Sequence, residues 1–163
     1  MNIYDNDNKN AAKALKRVSP KLPYGTELFN ELARITIGIA IEAVILRNTP
    51  KGKEIFLSKR KEEESYGGLW HCPGTFLRTG ETTESAFTRL EEKEDIGKIL
   101  NKKFAGFDNN LHEKRGHVVH LIFACEVETL PNSNGAWFLI DALPVETVDH
   151  HKMVVIPMAL SKF

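Results

Sequence analysis

Neither sign of charge prevails in this chain of 163 residues: 22 lysines and arginines face 22 aspartates and glutamates. That balance excludes a global electrostatic footprint for nucleic acid or for an anionic membrane surface. It leaves room for a small charged ligand, which needs only a local patch. Cysteine is scarce, with only Cys72 and Cys125. They lie far apart in apolar, strand-like contexts without zinc-type spacing, so they read as buried reduced thiols rather than a disulfide. No apolar run is long enough to span a bilayer. The longest, Ile35 to Leu46, is interrupted by Thr36 and Glu42. The N-terminus is polar and Asn/Asp-rich, without the apolar core of a signal peptide. The expectation is a cytoplasmic protein with neither nucleic acid nor membrane as partner.

What is present suits one domain. Apolar residues make up 42% of the chain and charged residues 27%, enough of each for a core and a solvated surface. Met1 to Asn10 reads as a disordered segment and Ala11 to Arg17 as a short basic helix, so residues 1–25 form an arm and 26–163 the folded domain. A short helix is expected from Thr26, with Phe29, Leu32 and Ala33 on its apolar side. Ile35, Ile37, Ile39 and Ile41 alternate with smaller or polar residues, which predicts a strand continuing to Leu46. Pro50 and Gly52 mark a turn into a returning strand over Glu54 to Arg60. Thr82 or Thr83 caps a helix running to about Asp95, with Ala86, Phe87 and Leu90 inward. Further strands are expected at Phe104 to Phe107, Val118 to Val127 and Ala136 to Ile140. The last two are joined by an Asn132 to Gly135 turn, and a terminal helix follows over His151 to Ser161. Strands flanking one central and one terminal helix predict an α/β (α+β) layered domain.

The chemistry concentrates in Leu69 to Gly97, LWHCPGTFLRTGETTESAFTRLEEKEDIG. A glycine-marked loop precedes a helix that ends in a dense set of carboxylates. Pro73-Gly74-Thr75, Gly80-Glu81 and Arg89 carry the spacing of the Nudix hydrolase signature, G-x5-E-x7-R-E-U-x-E-E-x-G-U with U aliphatic, and the segment resembles it. Leu69 to Pro73 resembles the strand that enters that motif. Trp137-Phe138, Asp141 and Leu143-Pro144 resemble the family's last strand and following turn, so the likeness covers most of residues 35 to 160. It implies an α/β/α sandwich with a mixed sheet, and a hydrolase that uses Mg²⁺ or Mn²⁺ on a nucleoside diphosphate linked to another moiety, nucleotide sugars among them. A homodimer follows by the same analogy. The physical basis of such a site is plain. A hard cation neutralises a pyrophosphate and lowers the pKa of bound water, and carboxylates at i, i+3 and i+4 share one helix face on which to hold it.

The sequence departs from the pattern in two places. Thr75 stands where the first motif glycine is usual. Read without a gap, the glutamate after Arg89 becomes Leu90, the Glu pair becomes Lys93-Glu94, and the glycine becomes Ile96. Glu94 is then the one remaining ligand, a sub-pattern that resembles GDP-mannose mannosyl hydrolases, although the histidine base of that group has no match here. Inserting one residue at Leu90 instead puts Glu91, Glu94 and Asp95 on the three ligand positions and Gly97 on the motif glycine, with the helix absorbing the extra residue as a bulge. The second alignment is preferred slightly. On it, Glu91, Glu94 and Asp95 hold metal, and Arg89 orients a carboxylate. Arg60, Gly74, Thr75 and Glu81 meet substrate, and Glu113, on the polar loop Asn109 to Gly116 with His112, is a candidate base. A run such as EEKED is also an ordinary solvated helix end, and the alternative reading is a Nudix-like module that binds a nucleotide or a partner without hydrolysis. An isoprenyl diphosphate isomerase, the third reading, needs a reactive cysteine, for which Cys72 is the near candidate.

Overall fold

The computed structural model describes residues 3–20, 23–128 and 134–163. Helix α1 (Ile3–Leu15) takes the place of the expected disordered segment, ending in the helix-favouring stretch Ala11 to Leu15. It is exposed along its described face. Helix α2 (Thr26–Ile35) follows the predicted span. Strand β1 (Gly38–Thr49) is the centre of the molecule. Residues 40–46 are buried without interruption, because a central strand with a layer on each side has no solvent face.

Around β1 the sheet runs β3-β2-β1-β6-β5, from β3 (Trp70–His71) through β2 (Gly52–Lys59) to β6 (Val118–Val127) and β5 (Ile99–Asn110). β6 pairs with β1 in parallel, and the other strand pairs among the described residues are antiparallel, so the sheet is mixed. Short β4 (Gly74–Phe76) pairs with the first half of β1, and β7 (Gly135–Leu139) pairs with β2. Along β1 the side chains alternate between two cores. Ile41, Ala43 and Ile45 pack with Phe87, Leu90 and Ile96 beneath helix α3 (Thr83–Glu94). Val44 and Leu46 pack with Val155, Ile156 and Ala159 of the terminal helices on the other face. This is the α/β/α sandwich that the resemblance implied.

Two elements differ from expectation. β5 extends over twelve residues rather than Phe104 to Phe107. Its polar composition hides it, because an edge strand is wetted on one side, and it breaks register at Phe104/Gly106. The terminal helix opens as a π-helical turn (His151–Val155) and becomes α4 (Ile156–Leu160) only where Pro157 takes a first-turn position. The expected turn at Asn132 to Gly135 lies partly outside the described residues.

Candidate active site

The left half of the motif is a closed brace. β4 lies against β1 with Gly74 opposite Glu42 and Thr75 opposite Ile41. A Cβ on Gly74 would run into Glu42 Oε2, so only glycine lets the two strands hold this carboxylate between them. Thr75 sits in ordinary strand backbone and its hydroxyl is used: it accepts a hydrogen bond from Arg89 Nη1 at 2.6 Å. Arg89 also donates from Nε and Nη2 to the two oxygens of Glu81, each at 2.8 Å, and from Nη2 to the Phe76 carbonyl at 2.9 Å. The Arg89 hydrogen bonds hold the Glu81 carboxyl down at about 2. Arg89 thus orients a carboxylate, and that carboxylate is Glu81 rather than Glu91, Glu94 or Asp95. Both are spent on pinning the loop to α3, and Glu81 does not line the cleft.

The right half follows the gapless alignment. Helix α3 begins at a capping box between Thr82 and Ser85 and runs unbroken to Glu94, with no bulge at Leu90. Leu90 is fully buried in the core beneath α3. Each helical residue turns about 100° from the last, so an inward Leu90 carries Glu91 away from the cleft and brings positions i+3 and i+4, Lys93 and Glu94, onto the neighbouring turn. Glu91, expected among the ligands, does not line the cleft: its Oε1 accepts the Ile99 backbone N–H at 2.8 Å and tethers the start of β5. Glu94 and Asp95 do reach the cleft. Glu94 accepts from Lys93 Nζ at 3.0 Å. The offset between the two alignments is taken up after the helix, where Asp95 (φ 49°) and Gly97 (φ 74°) are left-handed.

The cleft has a volume of about 430 Å³, and its opposite wall comes from the sheet. Glu42, Arg60 and His71 line it there, and Arg115 enters from the loop before β6. Arg60 is the expected substrate contact; the other three escaped the sequence reading. Glu42 is 6% exposed, and His120 Nδ1 donates to its Oε1 at 2.9 Å. His71 Nδ1 lies 2.7 Å from the Cys72 carbonyl, which can only accept, so Nδ1 carries the proton and Nε2 is a bare lone pair. Burial and the nearby Arg60 guanidinium push this imidazole down to about 3, so it is neutral at physiological pH. Burial also lowers Arg60, with Arg115 adding to the effect, and Arg60 Nε is buried without a partner. Arg115 lies 4.9 Å from the Phe76 ring centre, and its Nε donates to Glu113 Oε1 at 2.9 Å. Glu113, the candidate base, accepts through its other oxygen from Tyr66 Oη at 3.0 Å and does not line the cleft. It holds Arg115.

Mg²⁺ or Mn²⁺ would need several of these donors to meet at one point. Among the described residues no three His, Cys, Asp or Glu side chains come together in a way that could hold a metal ion. With Leu90 in the core, Glu91 turned to β5 and Lys93 beside Glu94, the box does not fit the cation the resemblance implied. What the cleft assembles is positive charge around a partly acidic floor: Lys59, Arg60, Lys61, Lys93 and Arg115. Such a set suits an anion with several phosphoryl oxygens. A second cavity of about 300 Å³ adjoins it and is lined by Pro23, Tyr24, Phe29 and Arg89, with Thr75, Phe76 and Lys93 shared between the two.

A family model for the NUDIX domain matches residues 38–157, spanning β1 to the terminal helix. The chain belongs to this family, that of the Nudix-type hydrolases. Among similar proteins, this Nudix chain is 29% identical over 147 residues to the ADP-ribose pyrophosphatase of Methanocaldococcus jannaschii, covering 85% of this chain and 83% of that one. Among solved structures, a MutT NUDIX hydrolase from Burkholderia pseudomallei superposes with a TM-score of 0.63 at 19% identity, covering 74% of this chain and 97% of that one. The NUDIX domain of Shewanella oneidensis NrtR, in a cocrystal with ADP ribose, gives a TM-score of 0.63 at 17% identity, covering 93% and 97%.

Proposed function

We propose that this Nudix protein hydrolyses a nucleoside diphosphate linked to another moiety, ADP-ribose-like compounds first. The observation that carries the reading is the pair Arg60 and Arg115 in one cleft, with Arg60 Nε buried and unpartnered. A buried guanidinium donor lacking a protein acceptor is stabilised by an anionic ligand that supplies one. The diphosphate lies against these arginines, and the nucleobase enters the adjoining cavity between Tyr24, Phe29 and Phe76, where aromatic faces favour a ring. The name of the Methanocaldococcus jannaschii relative and the ADP ribose bound by the NrtR domain support the same substrate class. The working form is a cytoplasmic homodimer that takes this small ligand and neither nucleic acid nor membrane, with residues 26–163 as the functional domain. No helix among the described residues is long and apolar enough to cross a membrane.

A second reading, a nucleotide-binding module without turnover, is favoured by one feature: Leu90 and Lys93 occupy two of the three carboxylate positions of the gapless motif. One experiment separates the two. The protein is incubated with ADP-ribose, nucleotide sugars, dinucleotides and nucleoside triphosphates, each with Mg²⁺, with Mn²⁺ and with chelator, and nucleoside monophosphate is followed by chromatography. Release from ADP-ribose supports the hydrolase. Calorimetric binding without product from any compound supports the module. Neither binding nor product removes both. Dependence on the cation is read directly from the chelator arm.

A further inference from the structure

We propose that Glu42, held in place by His120, is the base that takes the proton from the attacking water; this rests on the hydrolase reading above. A carboxylate at this place has no packing rationale. Glu42 sits mid-strand between Ile41 and Ala43, both fully buried, on the strand that both cores share. An apolar residue there would avoid the desolvation of a charge. The fold gives up space for it as well, since β4 can close on β1 only with glycine at position 74.

The hydrogen bonding is that of an oriented base. Oε1 is taken by His120 Nδ1–H. Oε2 carries no hydrogen bond among the described residues and lies over Gly74, at the cleft. His120 is 2% exposed and its Nε2 has no partner, so the imidazole serves one acceptor only. Its ring is fixed from behind by the His150 ring, 4.8 Å away, and His150 is itself anchored by Nε2 at 2.9 Å from Asp108 Oδ2. His120 is therefore a positioning residue, and Glu42 the group that meets the reactants.

The other carboxylates at the cleft are less oriented. Glu94 is paired with Lys93, Asp95 is exposed at the end of α3, and Glu64 is about half exposed and 3.7 Å from Arg60. Glu113 lies outside the cleft, holding Arg115 and Tyr66. His71 gives up its proton at about 3, too weakly basic to carry one near neutrality. In the proposed step the water oxygen bonds to phosphorus as Glu42 Oε2 accepts its proton. The bridging P–O bond breaks, and its electron pair leaves with the second phosphate. Two monophosphates result, and Glu42 returns the proton to solvent. Arg60 and Arg115 face the charge that accumulates on the phosphoryl oxygens.

The test compares the parent chain with Glu42→Gln, Glu42→Asp, Glu42→Ala and His120→Asn, using ADP-ribose as substrate and thermal midpoint as the folding control. Expected for Glu42→Gln is a fall in kcat of roughly 10²–10⁴-fold, with KM and the calorimetric Kd for ADP-ribose within a few-fold of the parent. Glu42→Asp falls in the same direction. Glu42→Ala recovers turnover when formate is added, a response that a purely structural role would not give. His120→Asn lowers kcat about tenfold at unchanged KM, the smaller loss of a group that acts through another. A kcat within threefold of the parent in a folded Glu42→Gln, or in Glu42→Ala without formate, overturns the assignment and leaves the hydrolase reading standing. No turnover by the parent itself overturns both.

Discussion

The two walls of the cleft carry polarity in opposite ways. The wall from α3 presents Glu94, partly buried and paired with the neighbouring Lys93, and Asp95, exposed at the helix end, while the residue aimed into the core is leucine. The wall from the sheet holds Glu42, Arg60 and His71, all buried or nearly so, with protein partners that leave Arg60 Nε and a Glu42 oxygen unused. Buried polar groups are costly unless something repays them. A wall that keeps a buried carboxylate with an unused oxygen is therefore the stronger pointer to chemistry, and the proposal above places the base there, on a strand.

That contrast can be broken most directly at Leu90. If the helix wall were still a dormant metal site, Leu90→Glu would restore it. On the present reading it places an unpaired charge among Ile41, Phe87 and Ile96 and costs about 3–5 kcal/mol. Urea titration of the variant checks this, and a gain in turnover with Mg²⁺ would break the contrast. Arg89→Ala comes next. It strips Glu81, Thr75 and the Phe76 carbonyl of a shared donor and costs about 2–3 kcal/mol, read from the same titration.

Acid sharpens the comparison, because it acts on two buried imidazoles, His71 on β3 and His151 in the terminal helix packed behind it. His71 and His151 are each held at about 3, chiefly by burial, against an ordinary 6.5. The unfolded chain binds protons that the folded chain refuses. Stability is complete above about 6.5 and is lost as the pH falls towards 3, by about 1–2 kcal/mol per histidine at pH 5. Glu81 adds to the loss further down, between its ordinary range and about 2. Thermal midpoints from pH 7.5 to 4.5 check the slope, and His151→Gln flattens it. The smallest effect belongs to Glu91→Gln, which weakens the hold on the Ile99 N–H. Stability falls by about 1 kcal/mol and turnover stays within twofold; a large loss of turnover would return Glu91 to the site.

Much of this architecture could be read from the chain. The Pro50–Gly52 turn and the threonine cap of α3 are local signals, and each produced its element. The isoleucine alternation placed a strand, but β1 starts only at Gly38: Ile35 closes α2, and Ile35, Ile37 and Ile39 are exposed while Ile41 is buried. Pro73-Gly74, Gly80-Glu81 and Arg89 were legible because a loop brace needs fixed spacing. The helix after Arg89 was not, because EEKED tolerates several rotations and the choice among them is made at a distance, by the burial of Leu90 against β1. The partners of Glu91 and Glu113 were not legible for a related reason: Ile99 N–H lies on another element, and Arg115 is paired only through the folded loop. Glu42 did leave a trace, as the one carboxylate interrupting the longest apolar run. That interruption bore on more than membrane spanning, since an acid inside a central strand is there for a reason.

Thr75 and Phe76 separate the two cavities from a strand of three residues stitched to β1, with Phe29 edge-on to the Phe76 ring at 5.4 Å. A divider fastened at both faces cannot slide to suit its guest. In the pose proposed above, the spacing between ring and diphosphate works as a ruler: compounds that span the ridge fill both chambers at once, whereas those a few bonds shorter or longer leave one of them to water.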